Sequence, residues 1–109
     1  MKLPTTTIIP REKVTDYLLI PQARGDKLGF LELAGYTLEN AAQLVRDLRE
    51  QLLLEALPTK SNKFGQYYEI RGDLTGPNGV RLAVRTIWMT EHLSGVTKFV
   101  TLLPVKRRT

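Results

Sequence analysis

The chain has 109 residues, 42% of them hydrophobic and 25% charged, with no cysteine and a single histidine. That is enough material for one hydrophobic core and no second domain, and it excludes disorder, disulfides, thiol catalysis and cysteine-based zinc sites. The net charge of +5 is unevenly spread: residues 1–57 hold seven basic and eight acidic side chains, and residues 58–109 hold nine basic against three acidic, three of the nine in the tail Lys106-Arg107-Arg108.

A basic surplus of this kind fits an anionic partner, and it also fits plain solubility. No apolar run approaches the roughly 18 residues that a membrane helix needs. Residues 1–7 lack the hydrophobic region of a signal peptide, so the sequence predicts a cytoplasmic protein without a membrane role. The lone His92 cannot build a two-histidine metal centre, and the acids are scattered singly, so neither metal nor cofactor is predicted. Phosphate-binding glycine loops, a Ser-His-Asp spacing and paired carboxylates are all missing from the sequence.

In chain order, a first helix is predicted over 10–20, opened by Pro10, striped by Val14, Tyr17 and Leu18, and stopped by Pro21. A second runs from Asp26 as N-cap through Ala34, with Gly35 in the left-handed position after it. The third begins at Thr37 with Glu39 in its first turn. Leu38, Ala41, Leu44, Val45, Leu48 and Leu52 recur at helical spacing before it frays near Glu55 and Pro58 closes it. Residues 58–65 read as loop.

The period then changes from 3.6 to 2. Tyr68, Ile70 and Leu74 alternate with Glu69, Arg71 and Asp73, and Gly76-Pro77-Asn78-Gly79 signals a hairpin. Val80, Leu82, Val84, Thr86 and Trp88 alternate with Arg81, Ala83, Arg85, Ile87 and Met89. A second turn lies at 92–95. A last strand runs over 97–103, so rich in apolar residues that it is expected to be covered on nearly both faces. The order predicts a single α+β domain over 1–109: a helical half (10–57) packed on one face of an antiparallel meander of three to four strands (65–105), then the basic tail 106–109.

The second sheet face carries the candidate chemistry. Arg81 and Arg85 share it, and if the Pro-Asn-Gly turn carries a one-residue bulge, Arg71 lies opposite Arg85. Directly opposed like charges cost a few tenths to about 1 kcal/mol. A phosphate would relieve that repulsion and match paired guanidiniums; so would splaying into water, or neutralisation by Glu69 and Asp73. Aromatic side chains beside arginines can stack bases. By alternation Tyr68 and Trp88 face the core, leaving Tyr67 as the exposed aromatic. Lys27, at the start of the second helix where the dipole disfavours a cation, is either a solvated lysine or an anion contact or acid. Thr86 and Thr101 are strand formers that neighbouring strands can bring onto one face.

The strings Gly65-Gln66-Tyr67-Tyr68, Leu74-Thr75-Gly76-Pro77-Asn78-Gly79, Val84-Arg85-Thr86-Ile87-Trp88 and Phe99-Val100-Thr101-Leu102-Leu103-Pro104 resemble an uncharacterised family of small bacterial domains. Lys27, Phe30 and Gly35-Tyr36-Thr37 fit it upstream, and the likeness spans about residues 8–104. That family looks like a relative of the barnase–EndoU–colicin–RelE toxin ribonucleases, in which N-terminal helices precede an antiparallel sheet that cuts RNA without a metal. The resemblance implies a toxin-type effector: Arg85 on the scissile phosphate, Lys27 as acid, Thr101 as orienting hydroxyl and Arg71 on a neighbouring phosphate. This sequence departs from it in having no histidine outside the His92 turn. Three readings follow: a metal-independent ribonuclease with an anion-binding cluster of Arg71, Arg81 and Arg85, Lys27 nearby and Tyr67 as an RNA-binding residue; a non-catalytic module that binds a companion protein in a two-protein bacterial cassette; and an RNA binder without cleavage.

Overall fold

A computed structural model describes residues 1–21 and 27–105. The expected N-cap Asp26 and the basic tail Lys106-Arg107-Arg108 lie outside the described residues. Helical segments come first: α1 (Arg11–Lys13), a π-helical turn Val14–Leu18, α2 (Leu28–Glu32), and α3 (Ala41–Glu50) between 3₁₀ turns Leu38–Asn40 and Gln51–Leu53. Four strands follow, β1 (Leu57–Ser61), β2 (Gly65–Thr75), β3 (Arg81–Glu91) and β4 (Thr97–Pro104), antiparallel in the order β1-β2-β3-β4. The architecture is α+β, with the helices on one sheet face.

The α3 stripe behaves as its spacing requires: Ala41, Leu44, Leu48 and Leu52 are buried. Thr37 opens this segment, its N–H donating to Asn40 Oδ1 at 2.8 Å in a capping-box arrangement. The sheet meets the stripe with Ile70, Leu74, Leu82, Val84, Trp88, Phe99 and Leu102. Trp88 packs edge-on against Phe99, ring centroids 5.2 Å apart, and its indole N–H donates to Thr86 Oγ1 at 2.8 Å. Thr86 is thereby a core residue that satisfies a buried donor.

Three expectations are corrected. The first helix is shorter than 10–20: a single α turn gives way to a π turn, whose Leu19 N–H reaches Val14 O at 3.0 Å. The third begins and ends in 3₁₀ geometry and stops at Leu53. Part of the expected loop 58–65 is the edge strand β1, whose residues are all exposed. An edge strand tolerates Pro58 and needs no apolar alternation, so it leaves little trace in sequence.

The β2–β3 turn has the expected bulge. Gly79 N–H donates to Gly76 O at 2.9 Å, Gly79 has φ +86°, and Thr75 pairs with Arg81. The hairpin tip docks on the end of α2, where Asn78 Nδ2 donates to Leu33 O at 3.1 Å. A Cβ on Gly76 would lie 2.0 Å from Ala34 O, a backbone atom that cannot step aside. Gly76→Ala is therefore expected to destabilise the fold by about 1–3 kcal/mol, read from the urea midpoint at unchanged m-value.

The register of β4 shifts between Ile87 and Trp88: Thr101 pairs with Ile87 and Phe99 with Trp88, leaving Val100 as a bulge. This slip lets Phe99 and Leu102, three residues apart, both face the core. It also turns Thr101 to the far face, so Thr86 and Thr101 do not meet. Beyond β4, Ile8 pairs in parallel with the edge, its N–H reaching Thr97 O and its carbonyl accepting from Phe99 N, both at 2.8 Å. No helix among the described residues is long and apolar enough to cross a membrane.

Candidate functional site

The far face of the sheet is a grid fixed by strand register. One row joins Tyr67, Met89 and Lys98, the next Glu69, Ile87 and Thr101, and the third Arg71, Arg85 and Leu103. Arg71 thus stands directly opposite Arg85, as the turn bulge requires. Their mutual repulsion is offset from within. Arg71 Nε donates to Glu69 Oε2 at 3.1 Å, and Arg85 Nη1 donates to Glu69 Oε1 at 2.9 Å.

Each guanidinium thus takes one oxygen of the same carboxylate. The side chain of Glu69 is 12% exposed, that of Arg85 35% and that of Arg71 61%. Burial alone pushes the Glu69 carboxyl up, but the hydrogen bonds and charges of Arg71 and Arg85 outweigh it and hold the carboxyl below its usual range. The centre of the face therefore presents an ionised, shielded carboxylate and two cations with donors to spare.

Other predicted residues are set apart. Arg81, 72% exposed, lies toward the hairpin end, 4.0 Å from Asp73 Oδ2. Lys27 occupies the N-cap position of α2 in the helical layer, half-buried. Among the described residues, no ion pair or hydrogen bond joins it to Glu69, Arg71 or Arg85. Thr101 faces the right side of the sheet, but its hydroxyl lies 3.4 Å from Tyr17 Oη rather than beside Arg85. Tyr67 is half-buried, with Lys60 Nζ 5.1 Å from its ring centroid. His92 is exposed at the β3–β4 turn, its Nε2 3.0 Å from Asn62 O.

The residue that sequence reasoning undervalued is Glu69. It reads as a mere neutraliser, yet two strands converge their cations on it. The available signal was its position two residues before Arg71, on the face that the hairpin turns toward Arg85. A cleft also flanks the grid, where the first helical segment rises beside β4. One opening of about 620 Å³ is bordered by Glu12, Lys13, Tyr17 and Thr101. A second of about 360 Å³ is bordered by Lys13, Tyr67, Met89 and Lys98.

A family model described as a domain of unknown function, DUF6883, matches residues 2–106. No curated protein matches the chain. Among solved structures, a chain from a contact-dependent growth inhibition toxin–immunity protein complex of Klebsiella pneumoniae 342 is similar. Its TM-score is 0.68 at 15% identity, covering 91% of this chain and 100% of that one. At that identity the likeness speaks to the fold.

Proposed function

The chain belongs to the DUF6883 family, and from the geometry of its open sheet face we propose that it is a metal-independent ribonuclease domain of a bacterial toxin–immunity system. The observation that carries this reading is Glu69 held between Arg71 and Arg85. RNA supplies its own nucleophile, the ribose 2′-hydroxyl. Such a cut needs a base for that proton and fixed positive charge for the phosphorane. Glu69 is the base. Arg85, the less exposed of the two cations, holds the scissile phosphate. Arg71 holds its neighbour, and Arg81 extends the track toward the hairpin.

The 2′-oxygen attacks phosphorus as Glu69 takes its proton; the P–O5′ bond breaks, and the 5′-oxygen is protonated from water. The products are a 2′,3′-cyclic phosphate and a 5′-hydroxyl. The likeness to a toxin–immunity complex chain supports a companion that neutralises the activity, and the relation to the barnase–EndoU–colicin–RelE nucleases belongs to the same reading. In this reading the domain acts in the cytoplasm on cellular RNA. Lys27 and Thr101, outside the Glu69 cluster, are supporting residues at most.

A second reading, a non-catalytic module for a companion protein, is favoured by one feature. Leu53, Leu54 and Leu57 are exposed next to or within β1, which among the described residues is an edge strand. Induced expression in bacteria separates the two. The ribonuclease reading expects growth arrest with fragmented total RNA whose new ends are cyclic phosphates. Healthy cells with intact RNA at good soluble expression would overturn it and leave the companion-binding module.

A further inference from the structure

The cleft beside β4 has no part in holding the scissile phosphate, yet it opens one residue pair from Glu69. Tyr67 and Glu69 are two residues apart on one face of β2, hence separated by about 7 Å. Thr101 lies across Ile87 from Glu69, two strand spacings or about 10 Å away. Both openings of the cleft share Glu12, Lys13 and Val100, so they adjoin. Val100, the bulged residue of β4, borders both.

The lining is mixed in a particular way. Tyr67 borders the smaller opening, with Lys60 Nζ of β1 5.1 Å from its ring centroid. Met89, almost fully buried, backs it with a polarisable apolar surface. Lys13 supplies a cation at the junction of the two openings, its Nζ 5.9 Å from the Tyr17 ring. Among the described residues, two carboxylates line the cleft: Glu12 borders both openings and Asp16 the larger one. An ionised carboxylate only accepts hydrogen bonds. Among bases, guanine alone presents two adjacent donors, N1–H and N2–H, to a single carboxylate.

We propose that this groove is a nucleobase subsite next to the scissile phosphate, with Tyr67 as stacking platform, Lys13 facing the adjoining phosphate and Glu12 selecting guanine. The inference rests on the ribonuclease reading and names the nucleotide that its site would seat. An aromatic ring beside a cationic track is how single-stranded nucleic acid is commonly gripped, since every base has a face to stack. The acceptor on the groove wall then decides which base edge fits.

Binding of free mononucleotides tests the subsite without requiring cleavage. The whole chain carrying Glu69→Gln is titrated with guanosine 5′-monophosphate and uridine 5′-monophosphate, followed by amide NMR shifts and calorimetry. Guanosine monophosphate is expected to saturate, moving the signals of Tyr67, Val100 and Thr101, with uridine monophosphate several-fold weaker. Adding Tyr67→Ala should weaken the guanine nucleotide by about tenfold or more, and Tyr67→Phe should retain it. Glu12→Gln should erase the preference between the two bases. Absence of saturable binding, or binding indifferent to Tyr67→Ala in a protein that melts normally, overturns the subsite. Equal affinity for both nucleotides overturns the role of Glu12. If RNA is cut but no nucleotide binds the groove, the subsite alone fails. If the nucleotide binds but RNA stays intact, the nuclease reading alone fails.

Discussion

Glu69→Gln is expected to lower RNA cleavage by about 10²- to 10⁴-fold, the range typical for loss of a general base. The amide keeps the shape and one acceptor for a guanidinium, but it cannot take the 2′-hydroxyl proton. The fold should persist, because Arg71 and Arg85 are exposed enough for water to screen their repulsion. The pH profile gives a sharper check than the rate. A base works only when deprotonated, so the rate climbs as pH rises through its pKa. In the free protein the two arginines hold the Glu69 carboxyl below its usual range, despite the opposing effect of burial. The acid limb of kcat/KM is therefore expected below the ordinary glutamate range.

On the proposed reading, RNA draws the guanidiniums to its phosphates and sets an anion beside Glu69, which is expected to raise its pKa. The acid limb of kcat should then lie at higher pH than that of kcat/KM. Both limbs should vanish in the glutamine variant. The same depressed pKa contributes to folding stability above the unfolded value, and that contribution is lost as pH falls through the folded one. A glutamine variant that cleaves within a few-fold of the parent would remove Glu69 from the chemistry.

What the sequence made legible tracks how strongly each pattern was forced. The α3 stripe and the β2–β3 alternation are dictated by burial on one face, and both appear in the structure. The Pro77-Asn78-Gly79 turn set a register good enough to place Arg71 opposite Arg85. The strand β1 was hidden because an exposed edge imposes no pattern, and Pro58 there looks like a helix stop. Whether Thr86 and Thr101 share a face was open for a different reason. A bulge leaves no mark within a run such as Phe99-Val100-Thr101-Leu102-Leu103, yet it decides which side every later residue faces. Glu69 was visible as a residue but not as a centre. That two cations would share its oxygens depends on side-chain geometry across two strands.

Arg85→Ala is expected to cost about 10²- to 10³-fold in cleavage, the usual consequence of removing one donor aimed at developing charge. Arg71→Ala should cost less, because Arg71 is 61% exposed against 35% for Arg85 and its charge acts through more water. Arg85→Lys should recover only part of the loss, since an ammonium cannot present the paired donors that a phosphate accepts from a guanidinium. Salt dependence separates phosphate binding from an indirect effect on Glu69. For single-stranded RNA, removing a cation that neutralises one phosphate should flatten the slope of log K against log salt by about 0.7. If Arg85 only positions Glu69, the slope stays unchanged and the acid limb alone moves to higher pH, because one of the two charges that depress the carboxyl has gone. If Arg85 holds the phosphate, slope and acid limb move together, and the deficit persists at pH values where Glu69 is fully ionised. Unchanged cleavage by a folded Arg85→Ala protein would instead make the pair with Glu69 a structural ion pair and remove Arg85 from the phosphate site.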